Sequence, residues 1–199
     1  MATLTVSVAL SDEDAQEDQD ATGFSSTATS LNAKSDTSLA ARKDLGMMFV
    51  SSGISQGDTV DSATVDVHIM SGVRDDANVS MHCEDADTPV DYTADADLVG
   101  RTKTSSKSDW IANSIGSGIA TSPTFTSAVQ ELVNRGGWST GNYIHVIFRG
   151  INDVAKHLRV AAQDHSTLPA PELTVVYTPA AAGLSIPVAM HHYSKTIGS

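Results

Sequence analysis

Apolar and polar residues alternate over short stretches along most of the chain. In residues 3–10 the large apolar residues occupy every even position, and small or hydroxyl residues occupy the odd ones. Alternation of this kind is typical of a β-strand with one buried face. Similar alternation recurs around Val65, Val79, Ile144, Leu158 and Leu173. The pattern therefore predicts an all-β protein in which the inward faces of two antiparallel sheets form one core.

One segment has the periodicity of a helix instead. Val129, Leu132 and Val133 are spaced i, i+3, i+4, which places them on one face of a helix near residues 124–135. Ser127 and Gln130 have the spacing of a capping box at its start. We expect a single short helix with its apolar stripe against the sheets.

The segments between these elements also allow interpretation. Residues 71–77 have turn composition and lie between the alternating stretches around Val65 and Val79, which predicts a hairpin. Six of the nine residues in 12–20 are acidic, which indicates a solvated loop. Residues 21–44 are rich in Ser, Thr and Ala and are interpreted as weak outer strands or an extended arm.

The order of several segments resembles a known non-catalytic module. The segments are the helix at 126–134, the Gly- and Trp-containing turn at 135–142, the strand at 143–148, the closing stretch at 169–177, and the earlier stretches at 45–50, 57–67 and 101–104 with Trp110. Together they resemble the DNRLRE-type jelly-roll domain of bacterial surface proteins and phage virion proteins. The resemblance implies a jelly-roll β-sandwich over residues 45–178, with an N-terminal segment at 1–44 that either joins the sandwich or extends from it, and a C-terminal arm at 179–199.

Charge and composition narrow the classes of partner. Residues 1–100 carry 19 acidic and 4 basic residues, and residues 101–199 carry 5 and 8, so the whole chain has a net charge of −12. An acidic surface disfavours binding to nucleic acid and to anionic membranes. We find no apolar run long enough for a membrane span and no pattern of an export signal in the first ten residues. We expect synthesis in the host cytoplasm.

Motifs that carry chemistry are weak in this sequence. Residues 53–57 match the G-x-S-x-G motif around Ser55, but a strand pattern follows where a nucleophile elbow needs a helix. His68, His82 and His145 fall on the outward phases of strands, and the single cysteine, Cys83, allows no intrachain disulfide. We expect no enzyme activity and no cofactor.

Two binding hypotheses remain open. Asp85, Asp87 and Asp91 are weak calcium candidates, because clustered carboxylates on a loop can supply oxygen ligands, although a solvated acidic loop over 84–97 is the preferred interpretation. Four aromatic residues could stack on sugars, although core packing is preferred for the tryptophans. These four are Tyr92, Trp110, Trp138 and Tyr143.

The C-terminal arm is the expected partner-binding segment. Residues 179–183 have the composition of a linker, and the residues after them are apolar enough to mark an interaction site. The candidate contacts are Leu184, Ile186, Val188, Met190, His191, His192 and Tyr193. We expect a virion protein, most specifically a capsid decoration (cement) protein that contacts the major capsid protein, other virion subunits or its own copies. The alternative is a carbohydrate- or receptor-binding adhesion module of a head or tail fibre.

Overall fold

A computed structural model describes residues 1–70, 76–92 and 98–181, and these residues form an antiparallel all-β protein with one α-helix. The strands are β1 (Ala2–Ser7), β2 (Asp14–Asp18), β3 (Thr22–Ser25), β4 (Ser30–Ser35), β5 (Lys43–Val50), β6 (Thr59–Ile69), β7 (Ala77–Cys83), β8 (Ser108–Ala112), β9 (Gly118–Thr121), β10 (Tyr143–Gly150), β11 (Lys156–Ala161) and β12 (Glu172–Thr178). The helix is α1 (Thr126–Val133). No helix in the described ranges is long and apolar enough to cross a membrane.

The strands follow one path that folds round a common core. Their order is β1-β12-β6-β11-β4-β5-β10-β7-β8, with β9 added to β6 and the β2–β3 pair added to β5. Two junctions, β6–β11 and β4–β5, consist of one residue pair each. A single hydrophobic cluster includes the inward residues of strands along the whole path, together with the buried residues of α1. The prediction of an antiparallel all-β protein with a sandwich-like core is confirmed at this level.

The predicted hairpin between the stretches around Val65 and Val79 is wrong. These stretches are β6 and β7, but β6 pairs with β12, β9 and β11, whereas β7 pairs with β10 and β8. Alternation identifies the buried face of each strand and carries no information about its neighbour. Two consecutive strands therefore fitted a hairpin pattern although they pair with different partners.

The N-terminal acidic segment is not a solvated loop. Residues 14–18 form β2, which pairs with β5 along its whole length. Glu13, Asp14 and Glu17 are each at most 2% exposed. The following segment includes β3 and β4, and β4 buries Leu31 and Ala33 in the main core. The carboxylates are tolerated because backbone N–H groups of neighbouring segments bind most of them, as described below.

The helix matches its predicted inward face but not its predicted cap. Val129, Leu132 and Val133 are fully buried. The N-cap residue is Phe125 and makes no side-chain cap bond, so the capping box predicted at Ser127 and Gln130 is wrong. The Gln130 side chain instead joins the helix to the start of β6, accepting from the Val60 N–H at 2.7 Å and donating to the Asp58 carbonyl at 3.0 Å.

The outward face of β5 and β10 differs from the outward face of β1, β6 and β12. β5 and β10 are buried on both sides, because a second apolar cluster covers their outer face. That cluster consists of Ala15, Met48, Tyr92, Leu98 and Ile147. Along β1, β6 and β12 the outward residues are half-buried or exposed throughout. The outward face of β5 and β10 is therefore covered, and the outward face of β1, β6 and β12 is open. We call them the covered face and the open face.

Candidate functional site

A chain of buried polar groups lies on the covered face. Nδ1 of His145 on β10 is 2.6 Å from Oε2 of Glu84, and Nε2 is hydrogen-bonded to the Tyr92 hydroxyl. Arg101 donates to the same Glu84 oxygen at 2.9 Å, and its guanidinium lies 4.5 Å from the centre of the Tyr92 ring. Four side chains from three segments are thereby linked in one network.

The network has one consistent arrangement of protons. Burial lowers the pKa of His145 although Glu84 acts in the opposite direction, so the imidazole is neutral. Burial alone would raise the pKa of Glu84, but its hydrogen bonds with His145 and Arg101 hold it below its usual range. A neutral His145 donates from Nδ1 to Glu84 and accepts the Tyr92 hydroxyl at Nε2. The single negative charge is then balanced by Arg101.

This network attaches two segments, 84–92 and 98–104, to the sheet. Glu17 on β2 contributes by accepting from the backbone N–H groups of Leu98 at 3.0 Å and Val99 at 2.7 Å. His145 is 0% exposed although it lies on the outward phase of β10. Its phase on the strand was correctly assigned, but the attached segments cover that face. Tyr92 and His145 are buried, whereas Glu84 and Arg101 are half-buried, and the bonds among them fix the two segments in position.

Two buried aspartates elsewhere on the sheets have raised pKa values. Burial raises the pKa of Asp14 to about 7, against the hydrogen bond that its carboxyl accepts from the Gln163 N–H. Burial also raises the pKa of Asp44, which accepts from the Gln19 side chain at 2.6 Å and from the Gly150 N–H at 3.2 Å. One oxygen of each of these two carboxyl groups has no hydrogen-bond partner. These groups stabilise the fold most when they carry a proton.

Two of the three calcium candidates form ion pairs with an arginine. The Arg135 side chain forms ion pairs with both Asp85 and Asp87, with Nε 2.6 Å from the Asp87 carboxylate. Asp91 offers its carbonyl to Arg101 at 3.5 Å. Within the described ranges no group of three His, Cys, Asp or Glu residues could hold a metal ion. The acidic stretch from 84 is therefore not simply solvated in its described part, and residues 93–97 lie outside that part.

The other residues that the sequence singled out include Ser55, Cys83 and His82. Each of them lies in a turn or in a packed environment. Ser55 lies in a tight turn closed by its N–H bond to the Asp58 carboxylate at 2.8 Å, and β6 rather than a helix follows. Cys83 is fully buried, which raises the pKa of its thiol. His82 is half-buried between the Thr104 carbonyl at 3.1 Å and the Ser80 hydroxyl at 3.2 Å. Ser55 does not have the geometry of a nucleophile elbow.

The aromatic residues that could have stacked on sugars do not form an exposed platform. Trp110, Trp138 and Tyr92 are at most 5% exposed. Trp110 packs edge-on against Phe148 with ring centres 5.8 Å apart, and Trp138 donates to the Ile54 carbonyl at 3.2 Å. Tyr143 is half-buried and donates to Glu13 at 2.9 Å. The preference for core packing of both tryptophans is confirmed.

The open face is a regular array of mainly short polar side chains on β1, β12, β6 and β9, with Val176 and Ile119 as apolar members. Strand register aligns Thr5, Thr174 and Thr64 in one row across three strands. The next row contains Ser7, Glu172, Asp66 and Thr121, and His68 lies opposite Ile119 beyond it. None of these residues is buried. Alternation indicated the outward phase on β1, β6 and β12. It predicted neither β9 nor these rows, because the paired strands are distant in the chain.

A small cleft lies at one end of the open face. It has a volume of about 240 Å³, and its lining includes Ser7, Asp66, His68, Ile119 and Glu172. The Ser7 hydroxyl donates to Glu172 at 3.4 Å, and Nδ1 of His68 is buried without a partner. Asp66 and Glu172 form no ion pair with any described residue. We refer to these residues as the acidic cleft.

The expected partner-binding arm lies outside the described residues, which end at Ala181. This applies to every candidate contact named on it. The last described part of the chain is held to the body, because the Ala180 N–H donates to the Asp58 carboxylate at 2.8 Å.

Comparison with known proteins adds no family: no protein-family model matches the sequence, and no curated protein matches it significantly.

Proposed function

We propose that this protein is a non-enzymatic assembly module that docks on other protein subunits through the open face and the C-terminal arm. The observation that carries the proposal is the difference between its two outer faces. One is closed by segments fixed through buried hydrogen bonds, and the other presents short hydroxyl side chains on a rigid sheet. Threonine side chains lose little conformational freedom when they are covered, so such a face is suited to binding a flat surface.

In its most specific form, we propose a jelly-roll capsid decoration protein of a phage head. The resemblance of residues 45–178 to DNRLRE-type modules supports this form, as does the apolar sequence of residues 184–193. Burial of one large apolar side chain contributes roughly 1.5–3 kcal/mol. Several such residues on one arm would offset the entropy cost of ordering it against a neighbouring subunit. The function would then be mechanical, tying neighbouring subunits together.

Co-sedimentation with mature phage heads that lack their decoration protein tests this proposal. The full chain should sediment with the heads, and a chain ending at Ala181 should bind at least about tenfold more weakly. The matched pair of variants is Ile186→Ser with Val188→Ser, which should weaken binding, and His191→Ser with His192→Ser, which should weaken it less. Binding of the full chain to cells or glycans but not to heads would contradict the decoration role and favour the adhesion alternative.

A further inference from the structure

The acidic cleft contains two like charges in direct opposition. Glu172 on β12 and Asp66 on β6 are register partners on the same face of the sheet. Directly opposed side chains on neighbouring strands have Cβ atoms roughly 4.5–5.5 Å apart, and like charges there destabilise the sheet. No described lysine or arginine forms an ion pair with either one. An external cation bound between them would relieve this repulsion.

The rest of the cleft indicates what kind of cation fits. Ile119 is 68% exposed and lies opposite His68 in the register, so an apolar surface adjoins the carboxylates. The Ser7 hydroxyl, which donates to Glu172, has an oxygen that can also accept a hydrogen bond. A volume of about 240 Å³ is below the range of roughly 300–1,000 Å³ typical of small-molecule sites. This size suits one side chain with an aliphatic stem and a charged end.

We propose that the acidic cleft receives an arginine side chain of a protein that docks on the open face. A guanidinium presents five donors in a planar fork and can bind more than one oxygen at once, which suits two adjacent carboxylates. Its aliphatic stem would lie against Ile119. A metal ion is the poorer match, because no three-ligand group is present among the described residues. This inference deepens the proposed docking role. The partner rests on that proposed function, but arginine binding by the cleft does not.

The test uses the isolated full chain and a defined probe. N-acetyl-arginine amide is titrated while backbone amide shifts are followed by NMR. Shift changes should concentrate at Ser7, Asp66, His68, Ile119 and Glu172. The neutral isostere N-acetyl-citrulline amide should produce no such cluster of changes.

Matched variants separate the cleft from general acidity. Asp66→Asn with Glu172→Gln should weaken arginine binding about tenfold and raise the melting temperature, because the repulsion is removed. Asp61→Asn with Asp109→Asn removes the same charge from exposed positions outside the cleft and should leave binding nearly unchanged. Shift changes spread evenly over the acidic surface, or equal weakening in both double variants, would overturn the inference. Arginine binding at the cleft in a protein that ignores phage heads would refute only the decoration role.

Discussion

At the residue scale, acidic side chains have roles that composition does not predict. Six acids in nine residues indicate solvation, yet Glu13 accepts from the N–H groups of Ala9 at 2.8 Å and Leu10 at 3.0 Å, and Glu17 binds two further N–H groups. A buried carboxylate is tolerated where it satisfies backbone donors. These donors belong partly to segments far away in the chain, so no local pattern could reveal them.

Asp14 should make the protein less stable as the pH rises. Its pKa is about 7 in the folded state and 3.8 when unperturbed, so the folded state holds a proton that the unfolded chain has released between these values. The stability that this group contributes is fully present below about pH 4 and is lost as the pH rises to about 7. Asp14→Asn should reduce the fall in the free energy of unfolding between pH 4 and pH 7 by roughly 2–4 kcal/mol. Urea unfolding at a series of pH values from 4 to 8 measures the change.

Asp36 provides a control of opposite sign for that experiment. It is half-buried, and its hydrogen bond from the Ser38 N–H holds its pKa below the usual value. Its contribution is therefore present at neutral pH and lost on acidification, so Asp36→Asn should remove a small rise in stability with pH. A decline above pH 4 that survives in Asp14→Asn would show that another group, such as Asp44, causes it.

Because Gly46 has no side chain, it leaves space for the hydrogen bond between Tyr92 and His145. A methyl group at this position would lie 2.7 Å from Nε2 of His145, 2.8 Å from Cδ1 of Leu98, and closer still to the Tyr92 hydroxyl. Gly46→Ala should therefore destabilise the protein by about 1–3 kcal/mol. Chemical unfolding measures this cost, and hydrogen exchange should show faster opening of segments 84–92 and 98–104. Gly136→Ala is the control, because no atom lies within 4 Å of its added methyl group, and it should change stability by less than about 0.5 kcal/mol.

At the element scale, periodicity identified elements better than it identified neighbours. The strand around Ile144, the helix stripe and the closing strand at 172–178 all occur as the alternation or spacing indicates. The β6–β7 hairpin failed because side-chain phase is independent of strand pairing. β2 was missed because its residues contain acids on both phases, so no apolar face marks it as a strand. The helix cap was misplaced because Gln130 binds β6 instead of its own N-terminus.

Leu132 should contribute strongly to the packing of α1 on the sheets. It is fully buried in the main core together with Val129 and Val133. Leu132→Ala should cost about 2–5 kcal/mol, because it removes buried methyl groups and leaves a cavity. Ile111→Ala is a matched control on β8, where the side chain is 62% exposed, and it should cost less than about 1 kcal/mol. Equal losses in chemical unfolding would contradict the assignment of the inward face.

At the scale of the whole molecule, the sequence predicted the fold class but not the distribution of its surfaces. The covered face depends on contacts between Glu84, Tyr92, Arg101 and His145, which pair loops with a strand more than forty residues later in the chain. The acidic cleft depends on register between β12 and β6, which are about a hundred residues apart. Such proximity follows from topology, and alternation alone does not determine it. The sequence therefore indicated outward residues without showing which of them meet.

The two ends of the chain should differ in their importance for folding. β1 pairs with β12 along its whole length, and Leu4, Val6 and Val8 pack in or against the main core. Deletion of residues 1–8 exposes the β12 edge and removes these apolar contacts, so we expect a loss of at least about 3 kcal/mol. A chain ending at Ala181 keeps every described strand and the Ala180–Asp58 hydrogen bond, so its melting temperature should stay within about 2 °C of the full chain. Calorimetry of both deletions measures the difference. A large loss on removing residues 182–199 would show that the arm folds against its own sandwich, and would count against the arm as a docking element.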